Sequence, residues 1–195
     1  VQDSSRGCRL LARPLAAGSY DRLSAFNYAR QYALTPFAPP YCDYETCNGD
    51  CANFTSQVLR QGGHPDVGTW PSTSAWATHW PPGEGACGLC SNTAPYAGTD
   101  LWASANNMPN WLLGYGGRAT TYASQKDLFS ADLINYDWTP ANGWWDHMAI
   151  TSYFLGNGDP EICCHTPRRL DYPDWTLGDS SAGHRFIHIN ASFSS

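Results

Sequence analysis

The sequence is poor in charge. Only 14% of its 195 residues are Asp, Glu, Lys or Arg, and the net charge is −6 with a pI near 5.3. Basic residues are scattered, and the densest spot, Arg168-Arg169, is too short to neutralise a phosphate backbone. Nucleic acid is therefore not an expected partner. No apolar run approaches the ~18 residues of a membrane span, so no membrane span is expected. Neither an internal repeat nor a low-complexity stretch occurs. A helical His-x-x-x-His motif is missing as well; His184 and His188 have that spacing, but on a strand they stand about 13 Å apart. Asp159 and Glu161, beside a Gly-Asn-Gly turn, lack the spacing of a calcium loop. No metal and no other cofactor is expected.

What the chain does have is aromatic residues and cysteine. Aromatics make up 14% of the chain, with nine Trp, so large rings must do much of the packing. Their N–H and O–H groups need partners once buried. Trp76, Trp80, Trp144 and Trp145 are candidates to flank a substrate groove, with core packing as the alternative. Eight Cys in this length point to an oxidising compartment and disulfide bonds. The chain starts at Val1 with no signal peptide, as expected of a processed, secreted form. Cys42/Cys47 and Cys87/Cys90 are close pairs. Cys163 and Cys164 are adjacent, and on a strand they would point to opposite faces. Sequons stand at Asn53 and Asn190, the first inside an expected helix.

The pattern of elements divides the chain. Residues 1–19 read as an arm tied down through Cys8, and residues 20–195 as one domain. Leu23, Phe26, Tyr28, Ala29, Tyr32 and Ala33 have helical spacing from Tyr20 onward, until Pro36 stops it. A second helix begins after Asp50, a good N-cap, and stops at Gly62-Gly63. Residues 64–100 read as a long loop region, and 101–122 as partly helical. From Asp127 the period changes to two, with strands expected over Leu128–Trp138, Asp146–Phe154, Glu161–Thr166 and His184–Phe193. Helices first and a strand meander afterwards predict an α+β fold, with N-terminal helices packed on an antiparallel β-sheet.

One pair of residues carries chemistry. Cys51 stands at the first turn of the second helix, where unpaired N–H groups favour thiolate and can hold an oxyanion. Asp50 works in the opposite electrostatic direction, so its expected role is capping and positioning. A thiolate needs a base, and His147, at the start of a strand, has the best setting among the six His. His165, at the end of the next strand, is placed to orient that imidazole. Reserving Cys51 for chemistry leaves seven cysteines, hence three bridges and one buried free thiol. Four bridges and no catalysis is the alternative.

The sequence resembles a known family. Tyr20-Asp-Arg-Leu-Ser-Ala-Phe-Asn-Tyr-Ala-Arg-Gln-Tyr-Ala33 and Gly49-Asp-Cys-Ala-Asn-Phe-Thr-Ser-Gln-Val-Leu-Arg-Gln-Gly-Gly63 are similar to the putative amidase domain family. That family lies among papain-like cysteine hydrolases, near cell-wall peptidases of the NlpC and CHAP kinds. Asp50, Cys51, Asn53, Phe54, Ser56, Gln57, Gly62 and Gly63 match its core motif, with Ala52 where Thr is usual. Ala131–Trp138 resembles the strand before the catalytic His, with Ala131 replacing an expected Gly. Trp145–Thr151 resembles the His strand, Cys164-His-Thr166 the strand after it, and Arg185–Ile189 the closing one. The resemblance implies a papain-like fold with Cys51 as nucleophile, His147 as base and His165 as orienting residue. It also implies a monomeric amide hydrolase acting on a peptide, protein or cell-wall peptide substrate. A deamidase or acyltransferase acting on Gln side chains would use the same pair. A non-catalytic binding protein with Cys51 locked in a disulfide is the reading from another class.

Overall fold

Two helices open the fold, each bounded by its own chemistry. The computed structural model describes Gly7 and residues 18–35, 41, 44–45, 49–64, 100–114, 116–140, 142–174 and 182–192. Helix α1 (Arg22–Tyr32) is capped by the Asp21 carboxylate, which accepts from the Leu23 and Ser24 N–H groups at 3.1 Å each. Helix α2 (Cys51–Gln61) ends at Gly62, whose N–H donates to the Val58 carbonyl at 3.0 Å. Glycine is required there by proximity. A Cβ on Gly62 would lie 2.2 Å from Tyr20 Cε2 and 2.7 Å from Cδ2. The Tyr20 ring is held in turn by its hydroxyl, which donates to the Ala131 carbonyl at 2.9 Å. Gly62→Ala is expected to cost ~1–3 kcal/mol through this overpacking. The check is the urea midpoint, and an unchanged midpoint would mean that the ring yields freely.

The partly helical stretch resolves into α3 (Asp100–Ala103) and α4 (Asn107–Gly114), followed by strand β1 (Ala119–Tyr122). Five more strands follow: β2 (Leu133–Asp137), β3 (His147–Phe154), β4 (Pro160–Cys164), β5 (Arg169–Pro173) and β6 (Gly183–Ile189). They form one six-stranded antiparallel sheet in the order β1-β6-β2-β3-β4-β5. The fold is thus α+β, with helices packed on an antiparallel sheet. Strand β2 is shorter than its sequence pattern because the chain turns at Ala131, with φ at 65°, the left-handed region that favours glycine.

Period two sorts the central strands onto two buried faces. Leu133, Met148, Ile150, Cys163, Ile187 and Ile189 share a core with α1 and α2. Ile134, Tyr136, Ala149, Ile162 and Cys164 build a second cluster on the opposite face. Arg22 anchors the start of α1 to the sheet and is almost fully buried. Its guanidinium donates to Asp132 Oδ1 at 2.7 Å and to the Ser130 carbonyl at 3.0 Å.

The expected three-bridge framework is overturned. Cys51, Cys163 and Cys164 are all free and buried, and among the described residues no disulfide is present. Three bridges need six cysteines, and only Cys8, Cys42, Cys47, Cys87 and Cys90 are left, all outside the described residues. The physical reason lies in the strand. Cys163 and Cys164 point into separate cores, where each packs as a small apolar side chain. The expected arm is described only at Gly7, which bridges Phe154, and at residues 18–19, where Ser19 bridges Ser192. The loop region expected over 64–100 also lies outside the described residues, apart from its ends. Among the described residues no helix is long and apolar enough to cross a membrane.

Candidate active site

Cys51 is the first residue of α2, and its side chain lies against the start of β3. The backbone N–H groups of Met148, Ala52 and Cys51 itself all direct hydrogen bonds to the sulfur, which favours thiolate. Burial outweighs them, with the Asp50 charge adding to it, and the thiol is pushed up to about 11. At rest the sulfur is a thiol. The residue is 8% exposed, so a reactant must meet it in a closed setting.

His147 opens β3 and pairs across the ladder with Tyr136 of β2. Its ring sits among aromatics, 5.6 Å from Tyr136 and stacked at 5.8 Å on Trp138. Burial lowers its pKa to about 4, so the imidazole is neutral near pH 7. Its Nε2 is buried with no hydrogen-bond partner among the described residues. Asn135 braces the backbone here, donating from Nδ2 to the His147 carbonyl at 2.9 Å and accepting from Arg185 at 2.7 Å. Arg185 in turn lies 4.4 Å over the Trp145 ring. The structure therefore brings Cys51 to the backbone beside His147, while the imidazole packs with Tyr136 on the sheet face opposite the one that α2 covers. Among the described residues no hydrogen bond joins the sulfur to the ring.

His165 has other partners than the expected one. Its Nδ1 lies 2.5 Å from Asp50 Oδ2 and its Nε2 3.0 Å from the Tyr32 carbonyl, while the ring stacks on Phe54 at 4.2 Å. Both nitrogens are engaged, so neither is left to orient His147. Asp50 also differs from expectation. It occupies the N-cap position of α2 but makes no side-chain cap bond. Its Oδ1 accepts instead from the Tyr44 N–H at 3.1 Å and from Asn53 Nδ2 at 2.7 Å. The physical reason is competition: a buried carboxylate satisfied by three other donors has no lone pair directed at the helix.

The remaining motif residues brace the helix. Asn53 Oδ1 accepts from Trp102 Nε1 at 2.5 Å, and Ser56 donates to the Trp102 carbonyl at 2.7 Å, docking α3 on α2. Gln57 accepts from the Tyr28 hydroxyl at 2.8 Å, joining α1 to α2. Asn53 is 1% exposed with its amide committed, so its sequon is a structural coincidence. Ahead of the helix, two backbone N–H groups are already used: Tyr44 donates to Asp50, and Gly49 to the Tyr44 carbonyl at 3.3 Å.

Sequence reasoning missed the aromatic surround of His147. Trp138, stacked on the His147 ring, is 38% exposed, and Trp144, a groove candidate from the sequence, is 54% exposed. The alternation of β2 was the available signal for Tyr136 and Trp138, since both share the His147 face. Trp76 and Trp80 lie outside the described residues.

Comparison with known proteins gives a family and one relative. The family described as "Putative amidase domain" matches residues 19–189. The "Uncharacterized protein YjcM" of Bacillus subtilis (strain 168) is 27% identical over 176 residues, covering 86% of this chain and 36% of that protein. The chain thus spans little more than a third of the length of the curated relative it matches. No solved structure was found to match it.

Proposed function

The chain belongs to the putative amidase domain family, and from that premise we propose that it is a cysteine hydrolase of amide bonds on a papain-like fold. The observation that carries this reading is a free thiol at the start of α2, against the backbone of the strand that His147 begins. Amidase-type hydrolysis is the family's character. The roles of Cys51 and His147 are our assignment.

The proposed reaction has two steps. As the substrate amide enters, His147 takes the Cys51 proton and the sulfur bonds to the carbonyl carbon. The N–H groups of Cys51 and Ala52 lie where a helix start can hold the developing oxyanion. The imidazolium then gives its proton to the amide nitrogen, the C–N bond breaks, and the amine leaves a thioester behind. His147 next takes a proton from water, whose oxygen adds to the thioester carbon. The C–S bond breaks, releasing the acid, and the imidazolium returns its proton to the sulfur, restoring the thiol and the neutral base. Peptides and cell-wall stem peptides are the proposed substrates, and Trp138 and Trp144 give their side chains a place to pack. An extracellular site of action is part of the proposal, on the low charge of the chain. Finding the protein only inside fractionated producing cells would remove that part.

A small thiol-directed electrophile tests the pair, with mass mapping on wild type and His147→Ala. Labelling at Cys51 that weakens in the variant is expected, and labelling indifferent to His147 would count against a coupled pair. The pH profile gives a second check. His147 serves as base only when neutral, and its pKa is lowered to about 4. The kcat/KM for a synthetic peptide amide should therefore hold down to about pH 4 and fall below it. An acid limb near ~6.5, the ordinary histidine value, would mean that the base is a solvated group elsewhere.

A further inference from the structure

We infer that His165 is a positioning residue for Cys51 that acts through Asp50: it fixes the residue before the nucleophile and cancels that residue's charge. The inference rests on the reading of Cys51 as nucleophile and adds to it a support that reaches the sulfur, not the base.

Hydrogen-bond donors and acceptors fix how many hydrogens this pair carries. The Tyr32 carbonyl can only accept, so His165 Nε2, 3.0 Å away, carries a hydrogen. Nδ1 and Asp50 Oδ2 then face each other at 2.5 Å. Two bare lone pairs would repel at that distance, so a second hydrogen lies between them. Whichever atom holds that hydrogen, the ring and the carboxyl group together carry no net charge. A lone Asp50 carboxylate would instead place a full negative charge one residue from the sulfur, where such a charge acts to raise the thiol pKa.

The grip is mechanical as well. While His165 holds the Asp50 side chain, the next residue holds its backbone: the Asp50 N–H donates to Thr166 Oγ1 at 2.8 Å. Gly49, with φ at 117°, brings the chain into this clamp, and an added Cβ there would meet the Thr166 side chain at 3.5 Å. Phe54, one turn into α2, closes the other side by stacking on the imidazole. Residues on α2, the turn after β4 and the end of α1 thus converge on the position just before Cys51. The groups facing the sulfur through this network are Asp50 and His165, with the Cys164 thiol close enough to interact with Cys51 electrostatically.

The test is the rate of Cys51 carbamidomethylation by iodoacetamide across pH, assigned by peptide mass mapping. It compares wild type, His165→Ala, His165→Asn and the Asp50→Asn/His165→Asn double variant. His165→Ala should react about tenfold more slowly near neutral pH, with its profile displaced to higher pH, because the carboxylate is left uncompensated. The double variant, uncharged at both positions, should recover the wild-type rate. Should His165→Ala fail to fold, His165→Asn makes the comparison, since it keeps a donor but lacks the shared hydrogen. A wild-type rate in the single variants overturns the inference, and so does a double variant as slow as the single one. Amide turnover by Cys51→Ala separates the two readings: turnover retained there removes Cys51 as nucleophile, while the thiol kinetics still report on His165.

Discussion

Replacing Cys51 with Ala is expected to lower amide turnover by at least about a thousandfold while leaving the melting temperature nearly unchanged. The substitution removes one buried sulfur and keeps the Cβ, the start of α2 and the donors of Met148 and Ala52. The packing lost is small because Cys51 lies at the margin of the core, where it is still 8% exposed. The chemistry lost is the covalent intermediate itself. Calorimetry and turnover on one preparation make the check. A fall in turnover of less than about tenfold would mean that another group attacks the carbonyl. A large fall in melting temperature would mean that the thiol is part of the framework.

Arg22→Met should act in the opposite way, destabilising the fold strongly. The guanidinium reaches Asp132, the Ser130 and Ile189 carbonyls and His188 Nδ1, and neither Arg22 nor Asp132 is exposed to water. Removing the guanidinium leaves the Asp132 carboxylate buried with the His188 ring, 2.9 Å from its Oδ2, and backbone N–H groups as its remaining partners, at a cost of ~3–5 kcal/mol. For a chain of this size that is a fall in melting temperature of about 10 °C. Arg22→Met/Asp132→Asn should recover a large part of the loss. The Asn oxygen can still accept the Ile189 N–H, which Asp132 Oδ1 receives at 2.9 Å. A double variant no more stable than the single one would show that lost packing, not the stranded charge, accounts for the effect.

The elements that could be read from sequence are those whose signals are local. Helical spacing from Tyr20 locates α1, which begins at Arg22 and ends at Tyr32, short of Pro36, and Asp50 with Gly62-Gly63 bounds α2 to within a residue. Strands β3, β4 and β6 announce themselves by alternation and by the turns between them. β1 and β5 were not legible. Each is an edge strand, β1 only four residues long and β5 half-buried along its whole length, so neither carries an alternating pattern. The site divides the same way. Cys51 and His147 follow from a helix start and a strand start. The coupling of His165 to Asp50 spans 115 positions and depends on how the turn after β4 lies against α2, which no local pattern encodes. The cysteines misled for a related reason. Their number suggests bridges, but the two orientations available on β4 bury Cys163 and Cys164 apart.

Strand β6 is the last of the described strands in sequence, yet it lies between β1 and β2. Two ladders therefore wait for it, and a ribosome-bound chain lacking β6 holds two open strand edges in place of one continuous sheet. Pairings this distant in sequence close long loops before they gain anything, which makes folding slow. Newly made protein should accordingly pass through a sticky, half-assembled stage, and trimming even a few residues from β6 should send it to aggregates and not to a smaller folded protein.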